Sequence, residues 1–304
     1  MDKFKLTRFA PTPSGFLHLG NIYSFLITKV LAEKHGAKIL LRIDDLDQER
    51  VKKKYTQDIF DSLDFMGLSY DLGPKNLKDF EQNFSCLKRI TLYQKHIEEL
   101  IKRKAIFACD CSRNKIEKMH PKGFYTGFCK KRNLPMNTSG STLRINTPVN
   151  QKIKIQTLEG IQESEILGIL RDFVIKKKDG IPAYQLQSIS DDIHYGVDLI
   201  VRGNDLFGSS IAQTFLASQL DKNGLNQITF HHHDLIFGKK NQKLSKTTGD
   251  ASIQFLRKSG MKKEGVFELL GKMAGFPQPI KSFEEFSKAY LADMIIQKSD
   301  SKKS

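Results

Sequence analysis

Apolar and polar positions follow one another along the chain in blocks of changing period, and each block predicts an element. A short apolar run over residues 4–10 fits a strand. Over 19–35 the period lengthens: Ile22, Leu26, Val30 and Leu31 fall on one side of a helix, and Gly36 supplies its stop. "AKILLRIDD" predicts a second strand over 39–43 that runs into acids. Helices are predicted over 52–66 and 98–104, on either side of a loop around "DLGPKN". Strand, helix and strand at this spacing imply a parallel sheet. Open α/β sheets bind ligands beyond the C-terminal ends of their strands. The stretch "RFAPTPSGFLHLGN" (8–21) and the pair Asp44–Asp45 both stand at such an end.

Beyond about residue 105 the texture changes. Cysteines, glycines and basic residues crowd "CDCSRNKIEKMHPKGFYTGFCKKRN", and short alternating segments such as "STLRIN" and "QKIKIQTL" follow. This predicts a small mixed insert reaching to about residue 178. "AYQLQSISDDIHYGVDLIVRGNDL" returns to strand, helix and strand, with an apolar strand over 198–202. "QITFHHHDLIF" predicts one more strand and "GKKNQKLSKTTGD" a polar loop. Residues 251–297 read as helical, and "KSDSKKS" as a solvated tail.

Charge adds a partner class. Lys and Arg number 49 against 34 Asp and Glu, a net charge of +15. Such an excess suits a phosphate-rich ligand such as nucleic acid, because each basic contact releases counterions. Four cysteines do not make a disulfide scaffold in a chain this long. Cys109, Cys111 and Cys129 lie close together and suggest a metal; Cys86 stands apart and reads as an ordinary buried thiol. "MDKFKLTRFAP" has no apolar signal core, and no apolar run approaches the ~20 residues that span a bilayer. A cytoplasmic chain with no membrane partner is expected.

The stretch 8–21 combines a stiff Pro turn with a helix start. Free N–H groups and the dipole at a helix N-terminus attract phosphate, and Gly15 and Gly20 let a ligand approach the backbone. His18 and Asn21 are donors placed for phosphate oxygens. Taken alone, H-x-G is more economically a capped helix. A second feature changes the balance. Lys243 and Lys246, flanked by Gly238 and Gly249, could fold over a triphosphate and neutralise leaving pyrophosphate.

"HLGN" and "KLSK" resemble the two signature motifs of class I aminoacyl-tRNA synthetases, in their glutamyl/glutaminyl form. "LLRIDDLD", "AYQLQSISDD" and "VDLIVRGNDL" occur between them in that family's order. The resemblance implies an α/β fold: a Rossmann-type parallel sheet split by a small zinc-containing insert and followed by a short helical C-terminal region. The expected divisions are 1–104 and 181–250 for the two halves of the catalytic domain, 105–180 for the insert and 251–304 for the helical region and tail. Two traits point to the truncated glutamyl-queuosine tRNA-Asp synthetases within the family. They are the C-x-C…Y-x-x-x-C cluster and the little chain that follows Lys246, where an anticodon-binding domain would otherwise be expected.

The implied activity is ATP-dependent formation of glutamyl-adenylate, then transfer to queuosine of tRNA-Asp, by a monomer that uses Mg²⁺ with ATP. By the same resemblance, Arg8, Thr12, Asp44, Tyr184 and Arg202 bind glutamate. His18, Gly20, Asn21, Lys243 and Lys246 handle ATP. An Arg fork does match a carboxylate in two places. The chain reads "RIDD" where the queuosine enzymes usually read "RIED", so Asp44 leaves amino-acid specificity less fixed than reaction class. Asp191, Asp192 and Tyr195 either shape the same pocket or close a turn. For the thiol cluster, three thiolates and one N or O ligand suit zinc. Spacing alone leaves Asp110, His120 or Tyr125 as the fourth; the resemblance implies Tyr125. In "HHHD" (231–234) three consecutive histidines on a strand alternate in direction and do not converge on one ion.

Overall fold

The structure is a computed structural model and describes residues 3–220, 228–236 and 252–300. The N-terminal elements are β1 (Leu6–Phe9), α1 (Leu19–His35), β2 (Lys38–Leu41), α2 (Lys53–Met66) and the single turn α3 (Leu77–Asp79). Next come α4 (Ile90–Lys102), β3 (Ile106–Cys109), α5 (Arg113–Glu117), β4 (Thr142–Ile145), β5 (Lys152–Thr157), β6 (Gly160–Glu165) and β7 (Val174–Lys176). The later elements are α6 (Tyr184–Tyr195), β8 (Leu199–Gly203), α7 (Phe207–Leu220), β9 (Thr229–His233), α8 (Ile253–Lys258), α9 (Lys263–Met273) and α10 (Phe283–Asp300). The chain divides into two compact units. One comprises Met1–Cys86, Asp198–Asn204 and His231–Ser304; the other comprises Leu87–Val197 and Asp205–Phe230.

In the first unit β1 and β2 pair in parallel, from Leu6 opposite Lys38 to Phe9 opposite Leu41. The pairing is extended by backbone bonds from Arg42 N to Phe9 O (2.8 Å) and from Asp44 N to Pro11 O (2.9 Å). At the start of β1 the Asp198 carboxylate accepts from the N–H groups of Lys5 (2.8 Å) and Leu6 (2.9 Å). Asp198 N returns a bond to Leu6 O at 3.0 Å, which sets β8 against β1. Helix α1 buries Ile22, Leu26, Val30 and Leu31 as its period predicts, and also Tyr23, Phe25 and Ile27. The wider burial arises because α10 packs on α1, with Tyr23 and Phe286 edge to face at 5.9 Å. Each such apolar side chain contributes about 1.5–3 kcal/mol. Gly36 ends α1 at φ 73°, a left-handed conformation that costs glycine nothing.

In the second unit β3, β4 and β7 form an antiparallel sheet, with Ile106 opposite Ile145 and Cys109 opposite Thr142. β5 and β6 form a hairpin, Lys152 opposite Glu165. Its inward positions Ile153, Ile155 and Thr157 alternate with exposed ones. Thr229 and Phe230, the first residues of β9, pair in parallel with β5. The expected insert, 105–180, lies within this unit. Among the described residues no helix is long and apolar enough to cross a membrane.

Candidate active site and cysteine cluster

The turn that opens α1 is shaped by main-chain bonds. Past β1 the chain folds back at Thr12, whose carbonyl accepts from Ser14 N at 2.9 Å; Thr12 itself is exposed. His18 caps α1 with extended backbone, and its N–H donates to Asn21 Oδ1 at 3.0 Å. The amide oxygen of Asn21 is therefore part of the cap. A Cβ on Gly20 would stand 3.1 Å from the His18 ring, so the smallest residue keeps the imidazole in place.

Both backbone groups of Leu17, just ahead of His18, are held. Its N–H donates to Asp58 Oδ2 on α2 at 3.3 Å, and its carbonyl accepts from Ile253 N at 2.8 Å. Ser252 forms an antiparallel bridge with His18. The segment that carries Lys243 and Lys246 thus re-enters the described structure at the start of α8, against this turn. Lys243, Lys246, Gly238 and Gly249 themselves lie outside the described residues.

Two guanidiniums stand on neighbouring strands of the same unit. Arg8 on β1 and Arg202 on β8 are both buried, and Arg8 Nη1 donates to Val201 O at 3.3 Å. Asp44 is buried as well and has a partner of its own. Arg42 Nε and Nη2 reach its two oxygens at 2.8 and 3.0 Å. A substrate ammonium would share that carboxylate with Arg42. Asp45 is a structural acid: it accepts from Ser85 Oγ at 2.6 Å and Cys86 N at 2.7 Å. Cys86 is fully buried with its thiol 3.6 Å from Ile43 O.

In the second unit Tyr184 heads α6 and is exposed. Asp191, Asp192 and Tyr195 lie on the same helix, and the Asp192 carbonyl helps to close its last turn by accepting from Val197 N at 2.9 Å. Asp191 is fully buried and accepts from Arg89 Nε (2.8 Å), Arg89 Nη2 (3.0 Å) and Tyr93 Oη (2.9 Å). The Tyr195 ring stacks against the same guanidinium at 5.3 Å. This ion pair locks α4 to α6.

The cysteine cluster assembles as its spacing suggests. The sulfurs of Cys109, Cys111 and Cys129 all lie within 4.8 Å of one another, and all three residues are buried. Cys111 and Cys129 approach to 3.5 Å. Tyr125 is buried with them and its hydroxyl accepts from Cys129 N at 2.7 Å. Of the other two candidates, His120 stacks on Phe124 at 3.8 Å, with Nδ1 accepting from Lys122 N. Asp110 pairs with Arg132 at 2.6 Å and lies 3.6 Å from Cys129 Sγ. Burial pushes the Cys109 thiol up, but the Cys111 amide and the Arg144 guanidinium outweigh it, so its net shift is downward. Burial and the neighbouring thiols push Cys111 up to about 12.

The "HHHD" histidines have separate environments. His231 Nε2 meets Tyr290 Oη at 2.7 Å, whereas His233 packs edge-on to Tyr23 and bonds Asp234 O through Nδ1 at 2.9 Å. The sequence reading missed Asp58, Arg257 and Arg42, all of which hold site elements through side chains.

Residues 6–295 match the family model described as "tRNA synthetases class I (E and Q), catalytic domain". The chain is 30% identical over 278 residues to glutamate–tRNA ligase 1 of Nitrosococcus oceani, covering 88% of this chain and 56% of that protein. To the glutamate–tRNA ligase of Clostridium novyi it is 31% identical over 301 residues, covering 93% and 60%. A crystal structure of the Elizabethkingia meningosepticum glutamate tRNA ligase in complex with its amino acid shares the fold. Its TM-score is 0.74 at 21% identity, over 94% of this chain and 64% of that one. The chain therefore spans less than two thirds of each of these relatives.

Proposed function

The chain belongs to the family of class I tRNA synthetase catalytic domains of the glutamyl and glutaminyl type, and from that premise we propose that it activates L-glutamate with ATP and transfers the glutamyl group to a tRNA hydroxyl. The observation that carries this reading is the pair of buried guanidiniums, Arg8 and Arg202, on strands beside a helix N-terminus capped by His18. A dicarboxylate suits the first feature and a triphosphate the second.

In this reading Arg8 and Arg202 orient glutamate, and Asp44, steadied by Arg42, offers its charge to the ammonium. A glutamate carboxylate oxygen attacks the α-phosphorus of ATP, the mixed anhydride forms and pyrophosphate leaves. His18 and the Nδ2 of Asn21 donate to phosphate oxygens as charge grows on them. Lys243 and Lys246 neutralise the departing pyrophosphate. Mg²⁺ bound with ATP would supply further neutralisation of phosphate charge. In the second step an RNA hydroxyl oxygen attacks the anhydride carbonyl, AMP leaves, and the hydroxyl proton passes to solvent. Catalysis is positioning and charge stabilisation, with no covalent enzyme intermediate.

The thiols of Cys109, Cys111 and Cys129 and the Tyr125 hydroxyl are a donor set that fits zinc, in a structural role. Three convergent buried sulfurs support that reading. For the acceptor we infer queuosine of tRNA-Asp, on the strength of the C-x-C…Y-x-x-x-C signature. A second reading, esterification of the tRNA 3′ end, is favoured by the curated relatives, which are glutamate–tRNA ligases. Glutamate-dependent ATP–pyrophosphate exchange without tRNA tests activation. Exchange is expected; exchange that appears only when tRNA is added favours the second reading, and none with or without tRNA, while RNA binding stays intact, would leave a non-catalytic RNA binder. Transfer of labelled glutamate to tRNA-Asp lacking its 3′-terminal adenosine then separates the acceptors. Persisting transfer supports queuosine, and lost transfer supports the 3′ end.

A further inference from the structure

We propose that Asp58 and Arg257 are a positioning pair that fixes the α1 turn against the helix which follows the lysine-rich loop. The bonds form a closed circuit. Leu17 N–H donates to Asp58 Oδ2 at 3.3 Å. The other oxygen of Asp58 accepts from Arg257 Nη2 at 3.4 Å, and the same nitrogen reaches Asp61 Oδ2 at 3.3 Å. Arg257 lies on α8, and the N–H of Ile253 at the head of α8 donates back to Leu17 O at 2.8 Å. Ser252, one residue earlier, bridges to His18.

The Asp58 side chain is 2% exposed and that of Arg257 27%. A carboxylate that deeply buried is stable only with its partners in place, so the tie is held rather than incidental. Its effect is to set the register of Leu17–His18 against the residue where the chain returns from the segment bearing Lys243 and Lys246. Neither Asp58 nor Arg257 is placed to touch substrate; both act through the backbone of Leu17. The kinetic meaning of the tie rests on the functional reading above, in which His18 and the two lysines handle ATP. Glutamate contacts Arg8 and Arg202, outside the circuit. Loosening the circuit must therefore fall on the nucleotide side.

The test uses the full chain and two measurements. Deuterium uptake is followed at residues 17–22, and Kd values for Mg·ATP and for glutamate are measured separately by calorimetry. Arg257→Ala is expected to speed uptake at 17–22 and to weaken Mg·ATP about 5–10-fold, while glutamate stays within about twofold. Arg257→Lys, which keeps the charge, restores most of both. Should Arg257→Ala fail to fold, Asp58→Asn keeps the shape, deletes the charge and carries the same expectation. Unchanged uptake at 17–22, or equal weakening of ATP and glutamate, overturns the proposal. A wild-type chain that binds no Mg·ATP would sink the functional reading, and the uptake measurement would still decide the tie.

Discussion

The α1 turn and the cysteine cluster are built in opposite ways. In the turn, main-chain groups carry most of the shape: Leu17, Asn21, Asp44 and Ile253 each contribute a backbone bond, joined by the Asp58 carboxylate on Leu17 N–H and the Asn21 amide oxygen on His18 N–H. In the cluster the side chains are the frame. Cys109, Cys111, Tyr125 and Cys129 come from short, loop-rich stretches and meet through sulfur, hydroxyl and ring contacts. The same unit repeats this habit at Asp191, where one carboxylate gathers Arg89 and Tyr93. The lesson is that a lost side chain should cost chemistry in the first region and stability in the second.

The hardest blow to that contrast is struck at Asp191. Asp191→Ala strands Arg89 in the interior and is expected to remove about 3–5 kcal/mol of stability, read as a lower midpoint in denaturant unfolding. A change under 1 kcal/mol would erase the distinction. His18→Ala probes the other side. Pyrophosphate exchange should fall about 10²-fold, near 2.7 kcal/mol of barrier, while the thermal midpoint moves by no more than about 2 °C. A large drop in midpoint would mean that the imidazole holds the turn. Cys129→Ala in zinc-loaded protein should lower the midpoint by about 5–10 °C and leave exchange within a few-fold, with metal content measured alongside.

The smallest expected effect is a pH dependence in the second unit. His96 bonds Ser190 Oγ through Nδ1 at 2.7 Å, and burial holds its pKa below the usual 6.5. A depressed histidine pKa means the folded state binds fewer protons than the unfolded one. Its stabilising contribution is therefore complete above pH 6.5 and declines as pH falls toward the folded value. Thermal midpoints measured from pH 7 to 5.5 should decline, and His96→Gln should flatten part of that slope.

Much of the fold is legible because its signals are local. The limits of α1 follow from apolar period and the glycine stop, and the structure places the helix at the same residues. α4 is less legible: it begins at Ile90 rather than near residue 98. Its buried Tyr93, Ile97 and Leu100 are diluted by Thr91, Gln94 and Lys95. The H-x-G turn and the thiol spacing show in sequence because their members are neighbours. Arg257 and Asp58 do not, since 199 positions separate them. Only folding makes them partners. Nor does "RIDD" reveal that Arg42 already grips Asp44, because strand neighbours two apart are read as a shared face before they are read as a salt bridge.

A frame made of peptide bonds has a bearing on how such a site can change over time. Since Leu17 is fastened through its amide and carbonyl, replacement of the histidine beside it need not redraw the loop. Drift at this position can alter what is bound long before it alters where binding happens. That makes the turn a permissive starting point for selection experiments, with the backbone supplying the constancy that heritable variation requires.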